Sequence, residues 1–230
     1  MTRETDFITK YHNLDLVRRR VEVGEHRDVI GGMWDELGAL QHDFLVAQGL
    51  QPHHRLVDIG CGSLRAGVPL TRYLDAGRYY GIDISRDLLD AGYEREILPV
   101  DLGPKLPPGH LHATADWDVA PFGVRFDFGL AQSVFTHLPL EQLTECLAAI
   151  APHFVPGGRV YITYFHRPDD CPDGDPVIHE PGGISTWHDR DPFDIRHDAL
   201  AAATPAGWDL TIIGEWGHPR DQRMALFTRR

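Results

Sequence analysis

LVDIGCGSLRAG, residues Leu56 to Gly67, decides the fold. Leu56, Val57 and Ile59 make a short apolar run with Asp58 at its carboxyl edge. Gly60 and Gly62 then bend the chain, and a helix is predicted from Arg65 to Leu74 with Ser63 as its N-cap. Strand, glycine turn and helix in immediate succession open a parallel α/β unit, whose ligands settle at the carboxyl ends of the strands. Glycine there lets a ligand approach the backbone. The start of a helix favours anionic groups and an ionised Asp58 favours cationic ones, so the pocket is expected to take a ligand carrying both. A nicotinamide dinucleotide would call for Gly-x-Gly-x-x-Gly, but Arg65 stands at the third glycine position.

Four further stretches follow in order. YYGIDIS (79–85) is a second apolar run ending in an acid, Asp83. HATADW (112–117) brings Asp116 and Trp117 to the end of a third, and FDFGLAQSVFTHLP (126–139) is a fourth running into a polar segment. PGGRVYITYF (156–165) is a Pro-Gly-Gly turn entering a fifth. With the opening turn, these stretches resemble the class I S-adenosylmethionine-dependent methyltransferases over roughly residues 34–230, except that Leu64 replaces the last glycine of the first motif. The resemblance implies an α/β fold: a single doubly wound, mostly parallel seven-stranded sheet with an antiparallel last strand and an N-terminal helical cap. It implies S-adenosylmethionine as cofactor and S-adenosylhomocysteine as product. It also implies a cofactor site of Asp58, Gly60, Cys61, Gly62, Asp83, Ile84, Asp116, Trp117 and Gln132. In it, Asp58 orients the amino group, Asp83 holds the ribose hydroxyls, Asp116 and Trp117 hold the adenine, and Gln132 meets the methionyl end.

Length and composition agree with one domain. A chain of 230 residues with 42% hydrophobic and 24% charged residues can bury a single core. A formal charge of −12 repels a phosphate backbone on average, which makes nucleic acid an improbable acceptor and a small molecule the expected partner. Arg18, Arg19 and Arg20 read as a solvated helix face. Three scattered cysteines without a Cys-x-x-Cys pair point to a reducing compartment and no zinc site. No apolar run approaches the ~18 residues of a membrane span, and the expected location is cytoplasmic.

Along the chain, residues 1–50 are expected to form a cap. A helical segment runs from Asn13 to Glu22, and an amphipathic helix from Met33 to Gln48 ends at Gly49 and Pro52. The cap offers a surface through which two chains could pair. Trp34 is expected either against the sheet or, as the resemblance implies for such a helix, on the pocket wall. Helices are further predicted over Arg86–Leu98 behind Ser85, over Leu140–Pro152 and over Ile195–Thr204. Two terminal strands, Asp209–Glu215 and Met224–Thr228, are joined by GHPRDQ (217–222).

Residues 166–191 form a long insertion rich in Pro, Gly and Asp, expected to be irregular and to act as a lid that shapes acceptor specificity. Within it DDCPDGDPVIHE (169–180) superficially matches a calcium loop. Cys171 occupies a ligand place and prolines interrupt it, so no metal site is assigned, there or at His179, His188 and Asp189.

The expected activity is transfer of methyl from S-adenosylmethionine to a small-molecule or sugar hydroxyl. A carboxyl or amine methyltransferase of secondary metabolism, or a non-catalytic cofactor-binding partner subunit, stays open. A hydroxyl acceptor needs a base. His137 is the candidate, as the first titratable residue past the fourth strand, with an ordinary value of about 6.5 suited to neutral pH; its other reading is a histidine that caps or packs before the next helix. His166 and His218, leaving strand ends on the same edge, stand behind it.

Overall fold

Leu56–Ile59, four consecutive buried residues, form strand β1 at the middle of the sheet in the computed structural model, which describes residues 9–230. Burial on both faces is what a central parallel strand between two helical layers requires, hence its nearly unbroken apolar run. β1 pairs in parallel with β2 (Tyr79–Asp83) and β4 (Phe126–Ala131), which sets Asp58 level with Gly81 and Leu130. With β3 (Leu111–Ala113), β5 (Phe154–His166), β9 (Trp208–Gly214) and β10 (Arg223–Arg229) the order is β3-β2-β1-β4-β5-β10-β9. β10 is antiparallel to both neighbours, so β9 runs with the others and residues 217–222 lie at the carboxyl edge. The expected seven-stranded, mostly parallel sheet is therefore observed, and a two-residue strand β8 (Asp194–Ile195) extends it beside the end of β5.

The helices cover both faces. On one side α6 (Leu140–Ile150) packs Leu143 and Leu147 against Val57, Ile59 and Phe126, with Trp208 closing the layer. On the other, α3 (Trp34–Ala47) and α4 (Gly67–Tyr73) bring Leu45 and Leu70 onto Leu56, Phe128 and Leu130. α5 (Arg86–Gly92) is N-capped by Ser85, whose hydroxyl accepts from Leu88 N–H at 3.2 Å. The helix expected to run straight to Leu98 instead changes winding at Tyr93, with a π turn over Tyr93–Ile97 and a 3-10 turn over Leu98–Val100. The last helix, α7, is short (His197–Ala202).

In the cap, α1 (Leu14–Glu22) starts at Asn13, whose side chain accepts from Leu16 N–H, and α2 (His26–Val29) follows. Val17, Val21 and Val29 pack on Leu88 and Ala91, fastening the cap to α5. Trp34 meets neither expectation. It is half-buried, with the Arg27 guanidinium 4.5 Å above its ring and His26 edge-on, and so belongs to the cap's own packing. Arg18 and Arg20 sit on a solvated face, paired with Asp15, Asp87 and Glu25.

The insertion is more ordered than its composition suggests. β6 (Val177–His179) and β7 (Ile184–Thr186) form an antiparallel hairpin, and fully buried Arg167 pairs with Asp194 at 3.1 Å while donating to the carbonyls of Pro172 and Asp175. Asp173 of the calcium-like stretch is engaged by Arg196 at 2.6 Å. Among the described residues no cluster of three His, Cys, Asp or Glu side chains is arranged to hold a metal, and no helix is long and apolar enough to cross a membrane.

Candidate functional site

The turn after β1 is shaped by three residues in the left-handed region, Gly60 (φ 67°), Gly62 (φ 55°) and Leu64 (φ 69°). A Cβ on Gly60 would lie 2.5 Å from Val134, and one on Gly62 2.6 Å from Ile30, so neither position admits a side chain. Leu64 tolerates its strained φ because its side chain is wholly buried beneath Gly67 and Gly92, where a third glycine would leave a void. This conformation delays the helix to Gly67, and that overturns the capping role of Ser63. Its hydroxyl instead donates to the His26 carbonyl at 3.0 Å and ties the turn to the cap.

A cavity of about 180 Å³ opens over this turn, at the carboxyl ends of β1, β2 and β4. Asp58 forms part of its floor. Burial pushes that carboxyl up to about 7, against the Tyr79 hydroxyl, which donates to Oδ2 at 2.7 Å, and the nearby Arg65 charge. Arg65, also on the wall, is pulled down to about 10 by burial, partly offset by Asp58. Its Nη1 donates to the carbonyls of Ile30 and Gly32, yet its buried Nε has no partner. Gln41 of α3 lines the same region with Oε1 buried and unpaired. Cys61 keeps its proton, since burial and then the Asp58 and Asp83 carboxylates push the thiol well up.

Beyond the turn, Asp83 accepts from Gly62 N–H and Ser85 N–H at 2.8 Å each, one bond per oxygen, and each oxygen retains acceptor capacity toward the cavity. Burial raises its pKa even against those two bonds. Ile84, Leu88, Ala115 and Trp117 make an apolar slot next to it. Of the residues expected to hold the cofactor, all but Asp116 line the cavity. Asp116 is exposed and off the wall, because the left-handed turn at Trp117 (φ 57°) brings the indole inward.

The three candidate histidines part company. His137 lies on the wall past β4, its Nδ1 2.5 Å from Asp191 Oδ1 and its ring edge-on to Tyr11 at 4.9 Å. His166 is not on the wall. It ends β5 alongside β8, stacked on His197 at 3.9 Å, apart from the residues that line the cavity. His218 is buried behind Gln132, 3.1 Å from its amide, with Arg220 N–H donating to Nδ1. Burial, then the Arg220 and Arg65 charges, lower it to about 4, so it stays neutral and supports Gln132. Both corrections have one cause: topology brings a residue to an edge but does not say which way its side chain turns. Tyr11, His12, Gln41, Arg65 and Asp191 were not anticipated. Only Arg65, inside the glycine turn, carried a sequence signal.

The architecture coincides with that of known proteins. Residues 57–160 match the family model described as a methyltransferase domain. Among solved structures, magnesium protoporphyrin IX methyltransferase from Synechocystis PCC 6803 with bound S-adenosylmethionine aligns at 16% identity over 95% of this chain and 97% of its own, with a TM-score of 0.62. An amino pentose methyltransferase from Micromonospora echinaspora, also bound to S-adenosylmethionine, aligns at 18% identity over 98% and 99% (TM-score 0.58). A glycopeptide N-methyltransferase with S-adenosylhomocysteine aligns at 14% over 84% and 90% (TM-score 0.58). Residues 57–160 thus carry a methyltransferase domain, and the chain shares the fold of these S-adenosylmethionine-dependent methyltransferases. The matched domain supports an enzyme of methyl transfer, and the S-adenosylmethionine bound in two of these neighbours is the ligand to set against the cavity wall. The wall fits that ligand: the unpaired Arg65 Nε and Gln41 Oε1, the buried Asp58 carboxyl and the two Asp83 oxygens are the polar groups a zwitterionic tail and a ribose diol would satisfy.

Proposed function

We propose that this chain methylates a hydroxyl of a small molecule, with His137 as general base. The observation that carries the reading is a titratable imidazole on the cavity wall past β4, across from the glycine turn. Asp58 and the Gln41 Oε1 take the cofactor's ammonium, Arg65 its carboxylate, Asp83 the ribose hydroxyls, and Ile84, Leu88 and Trp117 the adenine. Gln132, steadied by His218 and Gln222, faces the methionyl chain. When bound, the sulfonium supplies an electrophilic methyl group. The protein's own part is to hold the acceptor oxygen in line behind that carbon, worth about 7–11 kcal/mol, and to take the hydroxyl proton on His137. Cap and insertion keep water out. A net charge of −12 favours a small acceptor over a polyanion.

The test is His137→Gln, assayed with labelled methyl donor against a panel of phenols, sugars, amines and carboxylic acids, with S-adenosylhomocysteine binding followed by calorimetry. A fall in turnover of about 10²–10⁴-fold at unchanged cofactor affinity is expected. Unchanged turnover would identify an acceptor that needs no base, such as a carboxylate. Turnover by the wild-type chain alone separates the enzyme from a partner subunit.

A further inference from the structure

We infer that Asp191, delivered by the insertion, is a positioning residue that fixes the tautomer of His137; this rests on the hydroxyl reading above. A carboxylate can only accept, so the 2.5 Å contact between Asp191 Oδ1 and His137 Nδ1 requires the ring proton on Nδ1. In the neutral ring Nε2 then bears the lone pair, and Nε2 makes no hydrogen bond among the described residues. Without Asp191 a neutral imidazole prefers the opposite tautomer, with the proton on Nε2, and would have nothing with which to accept a proton there.

The geometry behind Asp191 shows a built support rather than a chance surface pair. His137 and Asp191 are each about four-fifths buried, with side-chain exposures of 21% and 20%. The stretch carrying Asp191 is stitched to the His137 loop one residue away, since Phe193 N–H donates to Thr136 O at 2.8 Å. Trp187 N–H donates to Pro192 O, and Asp194 N–H to Trp187 O, closing the loop on itself. Asp194 in turn is locked by Arg167 and by the Thr186 hydroxyl at 2.7 Å. Tyr11 closes the other side of the imidazole. The ring is thus held along one edge by the insertion and packed in a T-shaped contact against Tyr11 of the cap. Of these groups only the Asp191 carboxylate meets a ring nitrogen.

The experiment is long-range ¹H–¹⁵N correlation NMR of the imidazoles in the protein with S-adenosylhomocysteine, at about pH 8.5, well above the ordinary imidazole value of about 6.5. His137 is assigned by the signal lost in His137→Gln. The expected wild-type pattern is a protonated-type Nδ1 and a bare Nε2, reversed in Asp191→Ala. A proton on Nε2 in the wild type, or two protonated nitrogens at that pH, would overturn the inference, and so would an unchanged pattern in Asp191→Ala. The wild-type spectrum decides even where the substitution disturbs the insertion, which the amide signals of Trp187 and Phe193 report. If His137→Gln leaves turnover intact while the tautomer is as stated, the hydroxyl reading fails and the role of Asp191 in orienting the ring stands.

Discussion

Under the cavity floor the Asp58 carboxyl keeps its proton up to about pH 7, where an unfolded chain would release it near 3.8. The buried His218 imidazole refuses a proton down to about 4, where an unfolded chain would accept one at 6.5. Their effects on stability have opposite signs. Asp58, raised on folding, contributes stability that is complete below its unfolded value and is lost as pH climbs toward 7, about 4 kcal/mol in all. His218, lowered on folding, contributes stability that is complete above 6.5 and is lost as pH falls toward 4, about 3 kcal/mol. Between about pH 4 and 6.5 the two slopes, about 1.4 kcal/mol per unit each, cancel. We expect urea unfolding of Asp58→Asn to show stability rising with pH across that window relative to wild type, and His218→Gln to show it falling. Parallel curves would mean that neither group is buried as described. Asp58 and Asp83 were legible as acids ending apolar runs, and His137 by its place after the fourth. The partners that give them their chemistry were not, because the Tyr79 hydroxyl and Asp191 reach them across folded space, the latter from 54 residues away.

Among the elements, the glycine turn and α5 are pressed together with no slack. A Cβ on Gly92 would lie 2.6 Å from the backbone of Ser63, and main chain, unlike a flexible side-chain end, has nowhere to go. Gly92→Ala should therefore cost about 1–3 kcal/mol by overpacking and weaken S-adenosylhomocysteine binding by displacing the turn. Gly109→Ala, which meets nothing within 4 Å, should be neutral in both thermal melts and calorimetry. The first five strands were readable because strands buried between two helical layers are written as largely apolar runs. The β6–β7 hairpin was not, since two three-residue strands among prolines, glycines and aspartates leave no period to count. Nor was the late start of α4: leucine gives no sign of the left-handed φ that only its buried packing sustains.

At the scale of the whole molecule, the cap is held largely by cations. Arg27 clasps Glu96 with two bonds at 2.8 and 2.6 Å, and His26 adds a third at 2.6 Å. Burial alone would push the Glu96 carboxyl up, but the hydrogen bonds from Arg27 and His26 outweigh it and hold it below the usual range. Arg95 grips the Val21 carbonyl, Arg65 those of Ile30 and Gly32, and Arg220 that of Gly31. We expect Glu96→Gln to raise amide exchange over residues 14–29 and to speed S-adenosylhomocysteine dissociation by about 10-fold, the equivalent of one charged hydrogen bond of about 1.5 kcal/mol. Stopped-flow release and exchange mass spectrometry read the two effects. Unchanged release would mean that the cap does not cover the cofactor.

The buried Arg167–Asp194 pair has the contrary consequence for the insertion. Added salt does not screen an ion pair sealed from water, whereas it loosens the half-exposed Arg27 clasp. The two supports beside the cavity thus differ as a doorpost differs from a door. Rising ionic strength should let spent cofactor out faster past the cap, while the side that carries Asp191 keeps its place for the next turnover.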